Sequence, residues 1–591
     1  MRRVALVVAV MVSVVVAPAA ACVVHDGPAP LFSADPDSAE NPLPDERQRA
    51  GLRTDWAFPF LPNAAWTLAS EQTFLQWGRA LDDGRWGVNA PVFVRFAAPL
   101  PAAPAPGGAL FVRLDADAAP MPAVTTWIDD PGYMVARPLA PLPSDARMGL
   151  VVLRSLVPGT SLARSDAFEA HAHAAGRDDL ARAATVAGVG VDDIALLVAY
   201  RTGDANREMV EARALALTAG APPASFGAAL ALDELSGDVA AQAWRLPDGT
   251  RVVEGSFLSL ELHAPPVDDQ DDEDTLWDPA KVSGALAAER ITVELVLVLP
   301  DPARFPPPWP TVIAMHGFND DRTFGAKVGR AFVEQGRAVL AMDAASHGQR
   351  GSAADLIRID EPRILRDHLR QSALDLVQLI TLVQSGTIDV DGTAGADLDG
   401  HVAYFGHSMG TLIGGILLGV DDRIEAAVLN APGASFQDMF QQGRLKGSVQ
   451  FLMRPALGLA IDDPSYESAL PFCAGAAQSI LESAEPLAYA WRHHAATPPL
   501  LLQMNVGDGL LPNSASLELG GVLGATELAA AVADGEPQDA LWRLDSAAFG
   551  YPEHDDPHAL HTFEGARGVH DQAAAYLASG GRVVLDPLAV P

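Results

Sequence analysis

One short stretch of the sequence, "HVAYFGHSMGTLIGG" at 401–415, places Ser408 in a G-x-S-x-G pattern between a strand-like run and a helix-like run. Such a strand-to-helix turn holds a serine in strained backbone geometry, and the flanking glycines prevent collisions with neighbouring chain. The pattern predicts an exposed nucleophilic hydroxyl at a helix N-terminus, where the Met409 amide can face an oxyanion. The alternative is a small serine that only packs the turn.

A serine hydroxyl is a weak nucleophile until a base takes its proton, and a carboxylate usually orients that base. The buried strand in "PLLLQMNVGDGLLPN" ends just before Asp508. In the chain order serine, acid, histidine, Asp508 is therefore the predicted acid. Its alternative role is a turn aspartate that caps the helix predicted to start near Asn513.

The base is harder to choose, because "FGYPEHDDPHALHTFEGARGVHDQAAAYL" contains four histidines. His570 is predicted to lie inside the last helix. The base should lie on the loop between the last strand, "ALWRLD", and that helix, which favours His558 and leaves His561 and His554 as alternatives. The spacing of these histidines matches no common zinc motif, so we expect no metal. Nucleophilic catalysis by a serine, a histidine and an aspartate needs no cofactor, so we expect none.

A second oxyanion donor should follow an earlier strand. In "TVIAMHGFNDD", Gly317 allows close approach of the backbone, and the Phe318 amide is the predicted donor. The loop after the next strand, "DAASHGQRG", contains His347 and Arg350. These two side chains either shape the pocket or form hydrogen bonds within their own loop, and we favour the second role.

The elements that must position these residues alternate between strands and helices from "RITVELVLVLP" onward. This alternation predicts an α/β domain over 291–591, with a mostly parallel sheet and helices on both faces. The segment near 433–497 separates two predicted strands and is too long for a simple crossover. It therefore predicts a helical cap over the site. Its Phe, Met and Leu side chains either face an acyl pocket or only pack the cap on the body.

The first half of the chain has a different pattern. Arg2 and Arg3 precede a short apolar run and "APAAAC", which predicts a signal peptide over 1–21 and lipidation of Cys22. The alternative is ordinary cleavage near Ala21. Residues 22–55 are predicted to be a tether, 56–220 a β-rich immunoglobulin-like sandwich with a short helix near 178–190, and 221–290 a connecting segment.

Composition restricts the partners. The formal net charge of -35 disfavours binding to nucleic acid, and 49% hydrophobic residues allow large cores. Two cysteines exclude a disulfide framework, and Cys473 is predicted to be a buried small hydrophobic residue. Two Asp-rich stretches, near 267–278 and 389–400, are predicted to be solvated loops rather than calcium sites.

The chain resembles bacterial extracellular lipases of the virulence-factor lipase group, which are surface lipoproteins with an N-terminal β-domain and an α/β-hydrolase domain. The matching motifs include "AAAC", "AFPFLPN", "VFVRFAAPL", "YMVARPLAPL", "DDIALLVAYRT", "PPPWPTVIAMHG", "LRQSALDL", "GHSMG" and "GDGLLPN". The resemblance implies hydrolysis of lipid or lysophospholipid esters, with Ser408 as nucleophile and Asp508 as acid. It leaves the base open, because the histidine surroundings depart from the family's pattern.

The sequence therefore predicts a serine carboxylic-ester hydrolase, exported and held at the bacterial cell envelope or surface by a lipid anchor. Its expected partners are an ester or lipid substrate and the membrane surface. One alternative is a peptidase or polyester hydrolase on the same fold, because fold and triad do not fix the substrate. Another is an inactive surface adhesion or binding protein in which the β-domain carries the function.

Overall fold

The structure is a computed structural model of the chain, and it describes residues 27–48, 56–81, 85–265, 276–390, 395–492, 498–551, 557–562 and 566–589. The predicted signal peptide, Cys22 and His554 lie outside the described residues. So do most of the first Asp-rich stretch and residues 391–394 of the second.

The N-terminal domain contains a six-stranded antiparallel sheet in the order β1-β4-β3-β2-β5-β6, which confirms the predicted β-rich domain. Helix α3 packs on β2, β5 and β6. Its bounds match the predicted short helix, whereas the immunoglobulin-like assignment stays a prediction. The elements are β1 (Val92–Arg95), β2 (Ala109–Arg113), β3 (Met121–Ile128), β4 (Tyr133–Pro138), β5 (Arg147–Leu153), β6 (Ile194–Arg201), α1 (Leu68–Ala80), α2 (Asp166–Ala172), α3 (Arg177–Ala187) and α4 (Arg207–Ala219).

The predicted tether is wrong for residues 27–48, because this segment packs on the N-terminal domain. Leu43 pairs with Phe93 in an antiparallel bridge. Phe32 is buried, and its ring packs in a T-shaped arrangement with that of Phe168, with the ring centroids 5.3 Å apart. The Pro- and Asp-rich composition predicted a solvated chain. Instead, buried apolar side chains and backbone pairing attach the segment to the domain.

The second sheet has eleven strands, with the order β16-β17-β15-β14-β13-β11-β12-β10-β9-β7 and β8 paired to β9. Neighbouring strands from β16 to β12 along this order are parallel, and β10 is antiparallel to both β9 and β12. The strands are β7 (Ala224–Phe226), β8 (Leu230–Ala231), β9 (Arg251–Glu261), β10 (Glu289–Leu299), β11 (Trp309–Met315), β12 (Ala338–Met342), β13 (Leu398–His407), β14 (Ala427–Asn430), β15 (Leu500–Asn505), β16 (Thr526–Leu528) and β17 (Ala540–Leu544).

The segment 221–290 is therefore not a simple connection. Strands β7, β8 and β9 lie within it and extend the sheet, so the predicted domain start at 291 is too late. The antiparallel pairing of β9 with β10 runs along β9 from Arg251 to Glu261, and β7 and β8 pair with the other side of β9 at the edge of the sheet. The alternation of strands and helices does not mark this part of the sheet, because β9 and β10 pair antiparallel instead of being joined by a parallel strand-helix-strand crossover.

Helices cover both faces of this sheet. On β13, Val402 and Tyr404 belong to one apolar core, while Ala403 and Phe405 belong to the other. The chain has the predicted α/β-hydrolase fold. Its helices outside the cap are α5 (Gly237–Gln242), α6 (Pro279–Val282), α7 (Phe324–Val328), α8 (Arg330–Val333), α9 (Arg363–Gln384), α10 (Met409–Val420), α15 (Asn513–Leu523) and α16 (Arg567–Ala578). Within the described ranges, no helix combines the length and hydropathy that a membrane crossing requires.

The predicted cap consists of α11 (Phe436–Gln441), α12 (Gly443–Ala456), α13 (Ser465–Leu481) and α14 (Pro486–Ala490). It also packs on the N-terminal domain. The Phe472 ring of α13 stacks on Phe60 at a centroid distance of 4.7 Å and lies 4.9 Å from Phe93. The Asn89 Nδ2 donates a hydrogen bond to the buried Glu485 Oε1 at 2.7 Å.

Candidate active site

Ser408 lies where β13 ends and α10 begins, with backbone angles φ 54° and ψ -116°. This positive φ is unfavourable for a residue with a side chain, and such strain is typical of functional turns. A Cβ atom on Gly406 would lie 2.5 Å from the Gly410 carbonyl oxygen, and one on Gly410 would overlap the Met315 carbonyl oxygen. The two glycines are therefore required by the close approach of backbone around the serine.

Three side chains form a hydrogen-bonded chain at this turn. The Ser408 Oγ donates to His558 Nε2 at 2.8 Å, and His558 Nδ1 donates to Asp508 Oδ2 at 2.8 Å. Because a carboxylate only accepts hydrogen bonds, the proton of the neutral imidazole lies on Nδ1 and leaves Nε2 free to accept from the serine. All three side chains are buried, so water competes little for these bonds.

Asp508 uses its two carboxylate oxygens for two tasks. Oδ1 accepts hydrogen bonds from the amides of Leu510 and Leu511, at 2.8 and 3.0 Å. Oδ2 faces His558. Asp508 thus orders its own turn as well as contacting His558, but it does not cap α15, whose N-cap residue is Pro512. Asn505, the last residue of β15, donates from Nδ2 to the His558 carbonyl oxygen at 3.2 Å and supports the histidine loop.

The other described histidines of this region form a buried cluster beside His558. His561 directs Nδ1 to His570 Nε2 at 3.3 Å, and its ring centroid lies 3.8 Å from that of His407. Burial and neighbouring histidines lower the pKa of His561 and His407, and burial lowers the pKa of His570 to about 3. Among the described residues, no group of three His, Cys, Asp or Glu side chains is arranged to hold a metal ion.

The predicted oxyanion loop lies against the serine. A Cβ atom on Gly317 would be 3.3 Å from Ser408 Cβ, so the loop after β11 approaches the turn closely. His347, on the loop after β12, directs Nε2 to the Phe318 carbonyl oxygen at 2.8 Å and Nδ1 to the Ala345 carbonyl oxygen at 2.9 Å. Its hydrogen bonds therefore hold its own loop, as we expected, and also connect it to the oxyanion loop.

Arg350 does not reach the serine. Its Nη1 donates to Asp375 Oδ2 on α9 at 2.7 Å and to the Asp343 carbonyl oxygen at 3.2 Å. Asp343 in turn accepts from the Arg322 amide and guanidinium. These contacts tie the loop after β12 to the body of the domain, which fits the structural role that the sequence favoured.

A cavity of about 330 Å³ opens beside Ser408 and lies under the cap. Its lining is almost entirely apolar, which suits an aliphatic chain. Of the two roles predicted for the cap side chains, facing a pocket is observed for Phe440, Leu445 and Val449. The sequence did not indicate that Cys473, which is buried as predicted, or Trp77, from far upstream in the chain, would also line this cavity.

The fold and the serine at its strand-to-helix turn support a serine hydrolase of the α/β-hydrolase class. Residues 306–468 match the Hydrolase_4 family model, described as serine aminopeptidase, S33. No curated protein matches the chain.

Several solved structures are similar to part of this chain. An acetyl xylan esterase from Paenibacillus sp. R4 is 14% identical, with 58% of this chain and 87% of that chain covered and a TM-score of 0.33. An S-formylglutathione hydrolase from Agrobacterium tumefaciens is 12% identical, with 56% of this chain and 96% of that chain covered and a TM-score of 0.32. An acylaminoacyl peptidase from Pyrococcus horikoshii is 12% identical, with 49% of this chain and 40% of that chain covered and a TM-score of 0.32.

Proposed function

We propose that the protein is a carboxylic-ester hydrolase, a lipase or esterase, that works through an acyl-enzyme on Ser408. The observation that carries this proposal is the hydrogen-bonded chain from Ser408 through His558 to Asp508. In this role Ser408 Oγ attacks the ester carbonyl while His558 Nε2 takes its proton, and Asp508 stabilises the imidazolium. The Met409 and Phe318 amides would bind the oxyanion.

The second half of the reaction uses the same groups. His558 returns the proton to the leaving alcohol and then activates water, which attacks the acyl-enzyme and releases the acid. The apolar cavity beside Ser408 supports an acyl chain as the group that is transferred. We therefore place lipid esters, including lysophospholipids, in the substrate class.

Hydrolysis of p-nitrophenyl esters of increasing chain length tests this function. The wild-type protein should release p-nitrophenol, and Ser408→Ala should lose this activity. Ser479→Ala removes a partly buried hydroxyl that accepts a hydrogen bond from the Gly87 amide at 2.8 Å, and this variant should retain activity as the control for loss of a serine hydroxyl. A wild-type protein that hydrolyses none of the esters, or a Ser408→Ala variant that matches it, would contradict the proposal.

A peptidase is the second candidate, because the family model that matches residues 306–468 is described as a serine aminopeptidase. The triad chemistry is the same for an amide, so the leaving group decides between the two. Aminoacyl p-nitroanilides should be poor substrates if the protein is an esterase. A kcat/KM for an anilide above that for every ester would favour the peptidase.

We also propose that the protein is exported and held at the bacterial envelope by acyl chains on Cys22. The support is the sequence alone: two arginines, a short apolar run and small residues before the cysteine. Fractionation of cells that express the full chain tests this. The wild-type protein should partition with membranes and Cys22→Ala should not, and retention of the variant in membranes would contradict the anchor.

A further inference from the structure

Helix α1 of the N-terminal domain is built into the cap. It packs against α12 and α13, and the Ala65 amide just before it donates to the Leu457 carbonyl oxygen at 3.0 Å. The Phe74 ring on α1 packs edge-on against Trp56 and Trp66. The position of α1 is thus fixed both by the cap and by its own domain.

Trp77 extends from α1 into the wall of the cavity beside Ser408. Its side chain is buried, and its Nε1 donates to the Ile359 carbonyl oxygen at 2.7 Å. The segment that contains Ile359 lines the same cavity through Leu356 and Ile357. The indole ring is therefore held in one orientation between the cap and the body, as a wall residue with little freedom to move.

The cap helix α13 presents different residues to its two sides. Phe472 and Gly475 face the N-terminal domain, where a Cβ on Gly475 would lie 2.5 Å from Pro91. Cys473, Ala474 and Ala477 line the cavity. These small side chains leave space in front of them, and burial raises the pKa of the Cys473 thiol, so this wall is uncharged. The large indole of Trp77 and these small side chains of α13 line the same cavity.

We propose that Trp77 is a specificity residue through which the N-terminal domain limits the length of acyl chain that the enzyme accepts. This inference rests on the proposed ester hydrolase function. It follows from three observations: the indole lines the apolar cavity that contains Ser408, a hydrogen bond fixes its ring, and three residues of α13 that line the same cavity are small. The substrate class it implies is an ester of an aliphatic acid whose chain lies under the cap.

The test is the dependence of kcat/KM on acyl length, measured with p-nitrophenyl esters from acetate to palmitate. Each methylene that gains a buried position should raise kcat/KM by about fourfold. Trp77→Ala enlarges the cavity and should shift the optimum to longer chains. Ala474→Phe fills part of the cavity from α13 and should lower the ratio of long-chain to short-chain kcat/KM.

Trp56→Ala is the matched control. Trp56 is also a buried tryptophan whose indole N–H donates to a carbonyl oxygen, that of Phe74 at 3.2 Å, but it does not line the cavity. The dependence of kcat/KM on acyl length in Trp56→Ala should match that of the wild type. If Trp77→Ala does not fold, Trp77→Phe and Trp56→Phe form the second pair, with a smaller shift expected for Trp77→Phe.

The outcomes separate this inference from the proposed function. A wild-type protein without esterase activity overturns the proposed function and the inference with it. An active wild type whose chain-length optimum is unchanged in Trp77→Ala and Trp77→Phe overturns the inference alone. An equal shift in Trp77→Ala and Trp56→Ala also overturns it, because the effect would then come from loosened packing of the N-terminal domain.

Discussion

At the scale of single residues, the site combines a strained serine with a histidine whose tautomer is fixed. Ser408 has a positive φ, and the Asp508 carboxylate determines which nitrogen of His558 carries the proton. Both features have a cost in the resting protein, since strain and the burial of polar groups oppose folding. They place the hydroxyl and its base in contact before any substrate binds.

The Asp508→Asn variant tests the tautomer. The amide group of the introduced asparagine can donate to Nδ1 of His558, which moves the ring proton to Nε2 and removes the acceptor for the Ser408 hydroxyl. We expect kcat for ester hydrolysis to fall by about 10⁴-fold while the fold is retained. Steady-state kinetics and circular dichroism measure the two effects. A loss of less than about tenfold would contradict this role of Asp508.

The buried histidines make stability depend on pH. The pKa of His570 is about 3 in the folded protein and about 6.5 when exposed. Between these values the unfolded chain binds one more proton, so the free energy of unfolding rises with pH by up to about 1.36 kcal/mol per unit and falls on acidification. In His570→Gln, the free energy of unfolding, measured by denaturant titration, should therefore change less with pH between about pH 6.5 and 4.5 than in the wild type. An unchanged slope would contradict the neutral buried state of His570.

The residues of the site differed in how far sequence could predict them. Ser408, Phe318 and Asp508 each follow a buried strand, and the chain order of the fold gives their place. His558 was chosen because it lies between the last strand and the last helix, although His561 is only three residues away. Trp77 could not be predicted, because its contact with the cavity depends on how a separate domain packs on the cap.

At the scale of elements, the close packing of β11, β13 and α10 positions Ser408. Strand β11 pairs with β13 in parallel, and Gly410 at the start of α10 lies directly against the Met315 carbonyl oxygen. Sequence periodicity identified these strands because they are short continuous apolar runs. It places the start of the sheet too late, because β9 and β10 pair antiparallel and do not follow the parallel crossover pattern of the later strands.

The Gly410→Ala variant tests this packing. The added methyl group would overlap backbone rather than a movable side chain, so α10 must shift and Ser408 with it. We expect loss of ester hydrolysis and a lower midpoint of thermal unfolding. Gly521→Ala in α15 is the control, since nothing lies within 4 Å of its added methyl, and helix propensity should stabilise it by up to about 1 kcal/mol. Equal effects of the two changes would contradict a steric requirement at Gly410.

At the scale of the whole molecule, the cap is shared between two domains. One side of α13 packs its Phe472 among Phe60 and Phe93 of the N-terminal domain, and the other side lines the cavity. Asn89 and Glu485 add a buried hydrogen bond across the same boundary. The N-terminal domain thus supports the cap directly, an arrangement that composition and motif spacing do not reveal.

Phe472→Ala tests this support. Removal of a buried ring should destabilise the protein by roughly 3 to 5 kcal/mol, because it leaves a cavity between the domains. Phe451→Ala removes the same side chain from cap helix α12, where it is 64% exposed, and should have little effect. Denaturant titration of both variants measures the difference. Equal stability of the two would contradict a packed interface at Phe472.

The central claim is that Ser408 is the nucleophile activated by His558. Reaction with a p-nitrophenyl alkylphosphonate, followed by peptide mass spectrometry, tests it most directly, because serine attack at phosphorus expels p-nitrophenolate and leaves a stable adduct. We predict a single phosphonyl group on the peptide that contains Ser408, and none in Ser408→Ala. An active protein that remains unmodified at Ser408, or that carries the adduct on another residue, would contradict the claim.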